Sequence, residues 1–257
     1  MIFENLLSSH LPPAASPTLA GVPYSAVMVS IGEVTDQLRD EKCLRRWLKA
    51  EEHRRWSSFR LVKRQNEWLA GRICAKMALA ALETHDEDRD IRAVRIDNRA
   101  DGSPYVALDH GEDEPEVHIS ISHSNQRAAA LASPQRCGID VQHRSEKLRK
   151  LRERFCSPEE VRLMQAGRCH DFDNDDDLDL LNLLWTAKEA IRKAYSFRRV
   201  PGFLDLQLEH AGRHRQWYIL TFAHRMSNFI TWGRRLGEYG LALCFLPADD
   251  AWDCPHA

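Results

Sequence analysis

The sequence lacks paired cysteine spacings, long apolar runs and a secretion signal. Its seven cysteines are scattered, and no two of them have the CxxC spacing. An odd number of scattered thiols is typical of reduced cysteines in the cytosol and argues against a zinc site. No stretch approaches the ~18 uninterrupted apolar residues of a membrane span, and the first residues lack the basic and apolar regions of a secretion signal. The sequence therefore predicts a cytoplasmic protein without a membrane partner.

The sequence also lacks the glycine-rich loops that most often bind phosphate. It contains neither GxxxxGK[ST] nor GxGxxG, which excludes an ordinary P-loop or Rossmann phosphate cradle. The formal net charge of −2 argues against general nucleic-acid affinity. Residues 39–76 depart from this balance, with 12 basic and 5 acidic side chains. This stretch is either a solvated helix face or a surface for a phosphate-rich ligand or an acidic partner protein.

The residues that are present predict a folded chain with two parts. Hydrophobic residues make up 43% and charged residues 29% of the 257 residues, which is near the average for globular proteins. Residues 1–23, which contain LPPAASP, predict a flexible N-terminal arm. Residues 24–135 and 136–257 each contain a predicted strand, then helices, then further strands. We therefore predict an α+β fold made of two similar α+β halves.

Hydrophobic periodicity and turn residues predict the individual elements. Apolar residues at steps of four, four and three predict a helix over 65–82, and an earlier helix covers 42–59. SPEE at 157–160 is typical of a helix N-terminus with Ser157 as its N-cap, and a further helix covers 178–194. Strands are predicted at 25–31, 91–96, 105–108, 117–122, 203–208, 216–222, 228–232 and 241–246.

The segment CGIDVQ, residues 137–142, contains a carboxylate in an apolar strand. Residues two apart on a strand point the same way, so Gly138, Asp140 and Gln142 form a polar row while Ile139 and Val141 enter the core. A bare carboxylate among apolar neighbours is costly unless it is paired or binds a cation. A metal ligand is therefore a more economical interpretation of Asp140 than a turn or capping group.

A second carboxylate lies in the helical segment WTAKEAIRKA, residues 185–194. Trp185, Glu189 and Lys193 recur at steps of four on one face. Alone, Glu189 and Lys193 would be an ordinary surface ion pair worth about 0.3 to 0.5 kcal/mol, but the neighbouring tryptophan indicates partial burial. Mg²⁺ commonly takes one or two protein carboxylates together with phosphate oxygens and waters. With Asp140 as the second carboxylate, the two segments predict a site for Mg²⁺ and a diphosphate.

Two other patterns carry less weight. The run DFDNDDDLDLLN, residues 171–182, resembles a calcium loop, but its sixth and twelfth positions lack the required glycine and glutamate. A solvated acidic loop is the better interpretation of this run. Ser122, His123 and Asp140 suggest a hydrolase triad, yet adjacent strand residues project to opposite sides and the chain has no GxSxG elbow.

Taken together, the ordered motifs resemble those of the Sfp-type 4′-phosphopantetheinyl transferases, in the group whose last motif is W-x-x-K-E-A. GSP at 102–104 resembles the family's GKP segment, ISISHS at 119–124 its NxSHS segment, and FCSPEE at 155–160 its F-S-x-x-E segment. The resemblance implies two α+β halves related by a pseudo-twofold axis. It also implies that a monomer transfers the 4′-phosphopantetheine group of coenzyme A to a serine hydroxyl of an apo acyl carrier or peptidyl carrier protein and releases 3′,5′-ADP.

The same resemblance implies roles for individual residues. Asp140, Glu189 and Gln142 occupy the metal-ligand positions, for Mg²⁺ or alternatively Mn²⁺. The positions matched to coenzyme A contacts are Arg55, Arg72, Ser103, Ser122, His123, Lys188 and Lys193. Glu160 matches the residue proposed as general base, and Lys193 would also stabilise charge on the phosphates during the reaction.

Two departures from the family pattern leave alternatives open. Gln142 stands where many members carry a third acidic ligand, so a neutral amide oxygen or a water would take that position. Ser103 replaces the lysine of GKP, and Arg99 is a candidate to compensate. A non-catalytic protein of the same fold that binds coenzyme A or a carrier protein, and a Mg²⁺-dependent hydrolase of nucleotide diphosphates, are the alternative functions. The sequence does not choose among fatty-acid, polyketide and non-ribosomal peptide carriers.

Overall fold

A computed structural model of the protein describes residues 23–82, 94–107, 117–167, 176–196 and 199–246. The predicted N-terminal arm, apart from its last residue, lies outside these ranges, as do residues 171–175 of the acidic run and the ends of two predicted strands, residues 91–93 and 108. The described residues form two compact units that divide between Gln135 and Arg136. Within these ranges, no helix has both the length and the apolar character needed to cross a membrane.

The first unit packs helices onto a small antiparallel sheet. Its described strands are β1 (Ser25–Ser30), β2 (Arg95–Asn98), β3 (Pro104–Ala107), β4 (His118–Ser124) and β5 (Arg127–Ser133), and its described helices are α1 (Ile31–Gln37), α2 (Glu41–Trp47), α3 (Ala50–Ser57) and α4 (Val62–Leu82). The sheet order is β1-β5-β4, and β2 pairs with β3 in a separate hairpin. Helix α4 packs against all three strands of the sheet.

The central strand of this sheet, β5, is absent from the sequence prediction. Its sequence RAAALAS is rich in alanine, which favours helices when no tertiary contact intervenes. Here Ala128, Ala130 and Ala132 are fully buried in the core cluster that includes α4, where small side chains permit close packing of helix on strand. Asn125, with a φ of 53°, supports the tight turn from β4 to β5, because asparagine tolerates the left-handed conformation of such turns.

The predicted helix over 42–59 is wrong in one respect, because the structure divides it into α2 and α3. Leu48 and Lys49 between them have extended backbone. Glu52 explains the break: its carboxylate accepts a hydrogen bond from Lys49 N at 2.9 Å, which caps the start of α3. The predicted helix over 65–82 is confirmed and begins three residues earlier.

The second unit contains a larger sheet. Its described strands are β6 (Cys137–His143), β7 (Gln207–His214), β8 (Trp217–His224), β9 (Ser227–Leu236) and β10 (Tyr239–Phe245), and its described helices are α5 (Lys147–Leu151), a 3-10 turn (Arg152–Arg154), α6 (Pro158–Ala166) and α7 (Asp177–Ala194). All five strands are antiparallel, in the order β6-β10-β9-β8-β7. Helix α7 packs against β6, β9 and β10.

The predicted start of α6 is confirmed, and one predicted strand of this unit is wrong. Ser157 is the N-cap of α6, as predicted, because its hydroxyl accepts from Glu160 N at 3.2 Å. The predicted strand over 203–208 is wrong, since the chain turns there and extended pairing begins at Gln207. Phe203, the apolar residue that suggested a strand, packs instead against Trp185 and Phe155.

The two units share an order of elements. In each, the first strand pairs with the last, the last also pairs with the strand before it, and the long helix packs on these three strands. The α+β class predicted from the sequence is confirmed. The pseudo-twofold relation of the halves stays a prediction.

Candidate active site

A glycine brings strand β6 unusually close to helix α7. A Cβ atom added to Gly138 would lie 1.9 Å from Ala190 O and 2.7 Å from Ala194 N, so no other residue fits without moving the helix. The alternation of the strand then points the side chain of Asp140, two residues later, along the same face. The GID motif thus places a carboxylate directly beside the last two turns of α7.

Asp140 and Lys193 meet at this junction. Lys193 Nζ donates to Asp140 Oδ1 at 2.8 Å and to the backbone oxygen of Ile139 at 3.0 Å. The side chain of Asp140 is 9% exposed and that of Lys193 29% exposed. The predicted ligand Asp140 and the predicted phosphate-binding Lys193 are therefore brought together at one edge of the sheet.

Glu189 lies one turn before Lys193 on the same helix, near Asp140. Burial raises the pKa of the Glu189 carboxyl, and the negative charge of Asp140 raises it further, while Arg192 and Lys193 oppose the shift. Arg192 Nη1 donates to Glu189 Oε1 at 3.1 Å. The charge of Asp140 thus acts on Glu189 at the β6 edge of the sheet. Two neighbouring carboxylates of this kind have the chemistry of a divalent-cation site.

Gln142, the third predicted ligand position, follows Asp140 by two residues on β6. Its side-chain nitrogen donates to His143 O at 3.0 Å, and its backbone oxygen accepts from Asn182 Nδ2 at 3.0 Å. Over the parts of the chain that the structure describes, no group of three or more His, Cys, Asp and Glu side chains is arranged to hold a metal. The donor set that fits a hard cation consists of two carboxylates, as the glutamine at this position leads one to expect.

Glu160 and Lys188 form an ion pair inside the second unit. Lys188 Nζ lies 2.7 Å from Glu160 Oε1 and also donates to the backbone oxygens of Phe155 and Phe203. The ammonium is fully buried, and burial lowers its pKa while the facing carboxylate opposes that shift. All three donors of Lys188 are engaged inside the protein, and its contact with a coenzyme A phosphate stays a prediction.

The carboxylate of Glu160 accepts three hydrogen bonds. Besides Lys188, it accepts from Ser157 N at 2.8 Å and from Leu208 N at 2.9 Å, and the residue is 4% exposed. A general base needs a free lone pair within reach of the proton that it removes. Glu160 in this arrangement closes a helix cap and ties it to strand β7; its three donors leave one of about four acceptor positions open, and the role as general base stays a prediction.

The first unit repeats this arrangement, which sequence reasoning missed. Lys76 Nζ lies 2.7 Å from Glu52 Oε2 and donates to Trp47 O at 2.7 Å, while Glu52 Oε1 accepts from Ile96 N at 3.1 Å. In both units a glutamate in the first turn of a short helix caps that helix, receives a strand N–H and pairs with a lysine of the long helix. The sequence signals are AKMAL at 75–79 against AKEAI at 187–191, and EE at 51–52 against 159–160.

The first unit also contains a cavity of about 740 Å³, whose lining includes five arginines and four acidic residues, Glu51, Glu52, Glu67 and Asp97. Among its lining residues are five arginines, two aromatic rings and one histidine: Arg55, Arg64, Arg72, Arg95, Arg99, Phe59, Trp68 and His123. Burial lowers the pKa of Arg72 to about 10, which leaves it charged at neutral pH. Its guanidinium lies 4.6 Å from the centre of the Trp68 ring and donates to Asn98 Oδ1. The cavity has the size and charge of a site for a phosphorylated small molecule.

Of the other residues considered as contacts to coenzyme A, some line this cavity and others do not. Arg99 lines the cavity together with Gly102 and Pro104, whereas Ser103 bonds Asp101 Oδ1 through both its amide and its hydroxyl, at 2.8 and 2.7 Å. Arg99 thus lines the cavity and Ser103 does not, and compensation by Arg99 for the missing lysine stays a prediction. Ser122 is buried and His123 is exposed, as expected for neighbours on a strand.

Comparisons with known proteins agree over both units. Residues 136–244 match the model described as the 4′-phosphopantetheinyl transferase superfamily, and residues 58–133 match the 4′-phosphopantetheinyl transferase N-terminal domain. A holo-[acyl-carrier-protein] synthase of Exiguobacterium sibiricum is 32% identical over 117 residues, covering 44% of this chain and 88% of the relative. One of Anoxybacillus flavithermus is 38% identical over 97 residues, covering 36% of this chain and 76% of the relative.

Among solved structures, the holo-ACP synthase of Plasmodium yoelii covers 43% of this chain and 91% of its own chain. The TM-score is 0.36 and the sequence identity is 16%, so the family assignment does not use this structure. The family assignment rests on the two domain models and on relatives that are matched over most of their length. The chain belongs to the 4′-phosphopantetheinyl transferase superfamily.

Proposed function

We propose that this protein transfers the 4′-phosphopantetheine group of coenzyme A to a serine hydroxyl of an apo carrier protein. The observation that carries the proposal is the junction of β6 and α7, where Asp140, Glu189 and Lys193 converge within the unit that matches the transferase superfamily. The matched N-terminal domain and the W-x-x-K-E-A motif at residues 185–190 support membership of the Sfp-type group. Because one chain carries both domains, we also propose that it acts as a monomer.

Asp140 and Glu189 would hold Mg²⁺, or Mn²⁺ in its place, and the glutamine at 142 would leave a further position to water or a neutral oxygen. The fit rests on two hard oxygen donors whose charges already interact in the protein. When bound, such an ion supplies positive charge to the phosphate oxygens of coenzyme A.

The residues of the chain supply orientation and electrostatics. In the reaction the serine oxygen bonds to the β-phosphorus, the bond from that phosphorus to the bridging oxygen breaks, and 3′,5′-ADP leaves with the electron pair. Lys193 forms an ion pair with Asp140. Its ammonium would hold a phosphate oxygen as negative charge moves to the leaving group. The serine hydroxyl loses its proton as the new bond forms, and Glu160, whose three donors leave one acceptor position open, would take that proton directly or through water.

The cavity of the first unit would hold the nucleotide end of coenzyme A. Arg55 and Arg72 remain the candidates for its 3′-phosphate, and Trp68 and Phe59 offer aromatic faces to a base. Arg99 would replace the lysine that the family carries in GKP. His123 is a further candidate contact at this cavity.

An intact-mass assay tests the proposal. The full-length protein is incubated with coenzyme A, MgCl₂ and a panel of apo acyl and peptidyl carrier proteins, and each carrier is weighed. We expect a mass gain of one phosphopantetheine on at least one carrier, its loss with excess EDTA, and its loss in Glu189→Ala. No gain on any carrier, with tight coenzyme A binding, would favour a non-catalytic binding protein; cleavage of coenzyme A without a carrier would favour a hydrolase.

A further inference from the structure

One face of helix α7 is fastened to a short segment that follows it in the chain. Trp185, Lys188, Glu189 and Arg192 recur at helical spacings of three and four, so they share this face. The segment 201–203 is held by three of them. The Trp185 and Phe203 rings stack with centres 4.5 Å apart, and Lys188 Nζ donates to Phe203 O at 3.0 Å.

Arg192 is fixed to the same segment at two points. Its Nε donates to Pro201 O at 3.1 Å, and its guanidinium lies 4.4 Å from the centre of the Phe203 ring. These contacts define the plane and direction of the guanidinium before any other partner is considered. The side chain is 28% exposed, so most of its rotamer freedom has been removed by packing.

The free edge of this fixed guanidinium faces Glu189. Arg192 Nη1 donates to Glu189 Oε1 at 3.1 Å, and the Glu189 side chain is 24% exposed. The pair differs from an ordinary surface pair at the same spacing, such as Arg162 with Glu159, whose side chains are 71% and 61% exposed. An exposed pair must order two long side chains to form, whereas here one partner is already ordered.

We propose that Arg192 is a positioning residue that orients the Glu189 carboxylate for its role as a metal ligand, and that the segment 201–203 is the brace that holds Arg192. The inference rests on the proposed function, because it assigns Glu189 to the metal. A metal ligand must keep its carboxylate in a fixed orientation. Glu189 stands near another carboxylate, Asp140, and like charges turn flexible side chains away from each other. A braced cation on one oxygen of Glu189 opposes that rotation, as outer partners of metal ligands commonly do.

Mn²⁺ binding to the full-length protein, without any substrate, tests the inference. Free Mn²⁺ is measured by electron paramagnetic resonance as MnCl₂ is titrated into wild type, Arg192→Met, Arg192→Lys and the matched control Arg162→Met. We expect Arg192→Met to bind Mn²⁺ about 10 to 100-fold more weakly and Arg162→Met to bind like wild type. Arg192→Lys should fall between them, because an ammonium keeps the charge but cannot contact Pro201 O and Glu189 together through one planar fork.

Measurements of activity and of folding distinguish weakened metal binding from a failure to fold. In the carrier assay, Arg192→Met should lose turnover at low MnCl₂ and regain it in excess MnCl₂, with an unchanged KM for coenzyme A. If Arg192→Met does not fold, Phe203→Leu, which removes the ring under the guanidinium, should weaken Mn²⁺ binding in the same direction. Unchanged Mn²⁺ affinity in the folded variants, or no Mn²⁺ binding by wild type, would overturn the inference. The wild-type carrier assay decides the proposed function separately, since Mn²⁺ affinity is measured without a carrier.

Discussion

Lys188 Nζ lies 2.7 Å from Glu160 Oε1 in the interior of the second unit, and the Lys76–Glu52 pair in the first unit has the same separation. Each lysine lies on the long helix of its unit, and each glutamate caps a short helix. A lysine that donates to a backbone carbonyl near the start of that short helix fixes the position of the short helix against the long one. The repeat indicates that Glu160 and Lys188 help to maintain the fold.

Glu160→Gln should therefore destabilise the protein strongly. Removing one partner of a buried ion pair leaves the other charge uncompensated, which costs about 3 to 5 kcal/mol. Urea denaturation should show this loss in the free energy of unfolding, with Glu159→Gln on the exposed face of the same helix as a near-neutral control. A Glu160→Gln variant with wild-type stability and no transferase activity would show that Glu160 acts in the chemistry and contributes little to the fold.

Lys76→Met should produce a loss of similar size, although it lies in the other unit. The variant removes the buried ammonium and leaves the Glu52 carboxylate with only its two backbone donors. We expect a drop of about 3 to 5 kcal/mol in the free energy of unfolding. Lys63→Met serves as the control, because Lys63 is largely exposed and 3.8 Å from Glu67. If Lys76→Met is as stable as Lys63→Met, the buried pair in the first unit does not stabilise the fold as the pair in the second unit is expected to do.

Gly138→Ala should separate strand β6 from helix α7. Its new methyl group would lie 1.9 Å from Ala190 O, a backbone atom that cannot move without its helix. We expect a loss of about 3 kcal/mol or more, at the upper end for overpacking, together with loss of transferase activity because Asp140 would move away from Lys193. The control is Gly233→Ala in β9, where the nearest atom is Leu183 Cδ2 at 3.6 Å. A fully stable Gly138→Ala protein would contradict the close approach.

Glu189→Gln should change the pH dependence of stability in metal-free buffer. Because burial and Asp140 raise the pKa of Glu189, the folded protein holds this proton more tightly than the unfolded chain does. The resulting stabilisation is complete below the ordinary glutamate pKa of about 4.3 and is lost as pH rises through the folded value. The glutamine has no such loss, so the free energy of unfolding of Glu189→Gln relative to wild type should rise with pH.

This difference is measured by urea denaturation with EDTA, from about pH 4 to about pH 8. Glu159→Gln supplies the comparison for an exposed carboxylate on another helix of the unit. A relative stability of Glu189→Gln that falls as pH rises would contradict the raised pKa. The same variant should lose carrier modification, because it removes one of two proposed metal ligands.

Gln142→Glu should make the protein bind Mg²⁺ more tightly while destabilising its metal-free form. A third carboxylate on the face of Asp140 adds a hard anionic ligand and, without a cation, adds like-charge repulsion. Thermal unfolding should therefore occur at lower temperature than in wild type with EDTA, and the stabilisation by MgCl₂ should be larger. Half-maximal carrier modification should need severalfold less MgCl₂. A variant whose response to MgCl₂ matches wild type would mean that position 142 lies away from the ion.

Some features could be predicted because their causes are local. The SPEE segment starts α6 at Ser157, since a cap depends on residues three apart. The apolar spacing in 178–194 predicts α7, since helical periodicity needs no partner to be visible. Strand β5 could not be predicted in this way, because its alanines are selected by the close approach of α4 and their intrinsic preference is for helix.

By itself, the sequence determined the α+β class, the existence and C-terminal ends of the two long helices, and the two segments that carry Asp140, Glu189 and Lys193. These follow from periodicity and motif order along the chain. Only the tertiary structure decided which charged residues are buried in pairs, namely Lys188 with Glu160 and Lys76 with Glu52. It also disclosed Arg192, whose partners include a backbone carbonyl at Pro201. The physical reason is that burial and hydrogen bonding to backbone depend on contacts between distant segments, which leave no periodic trace in the sequence.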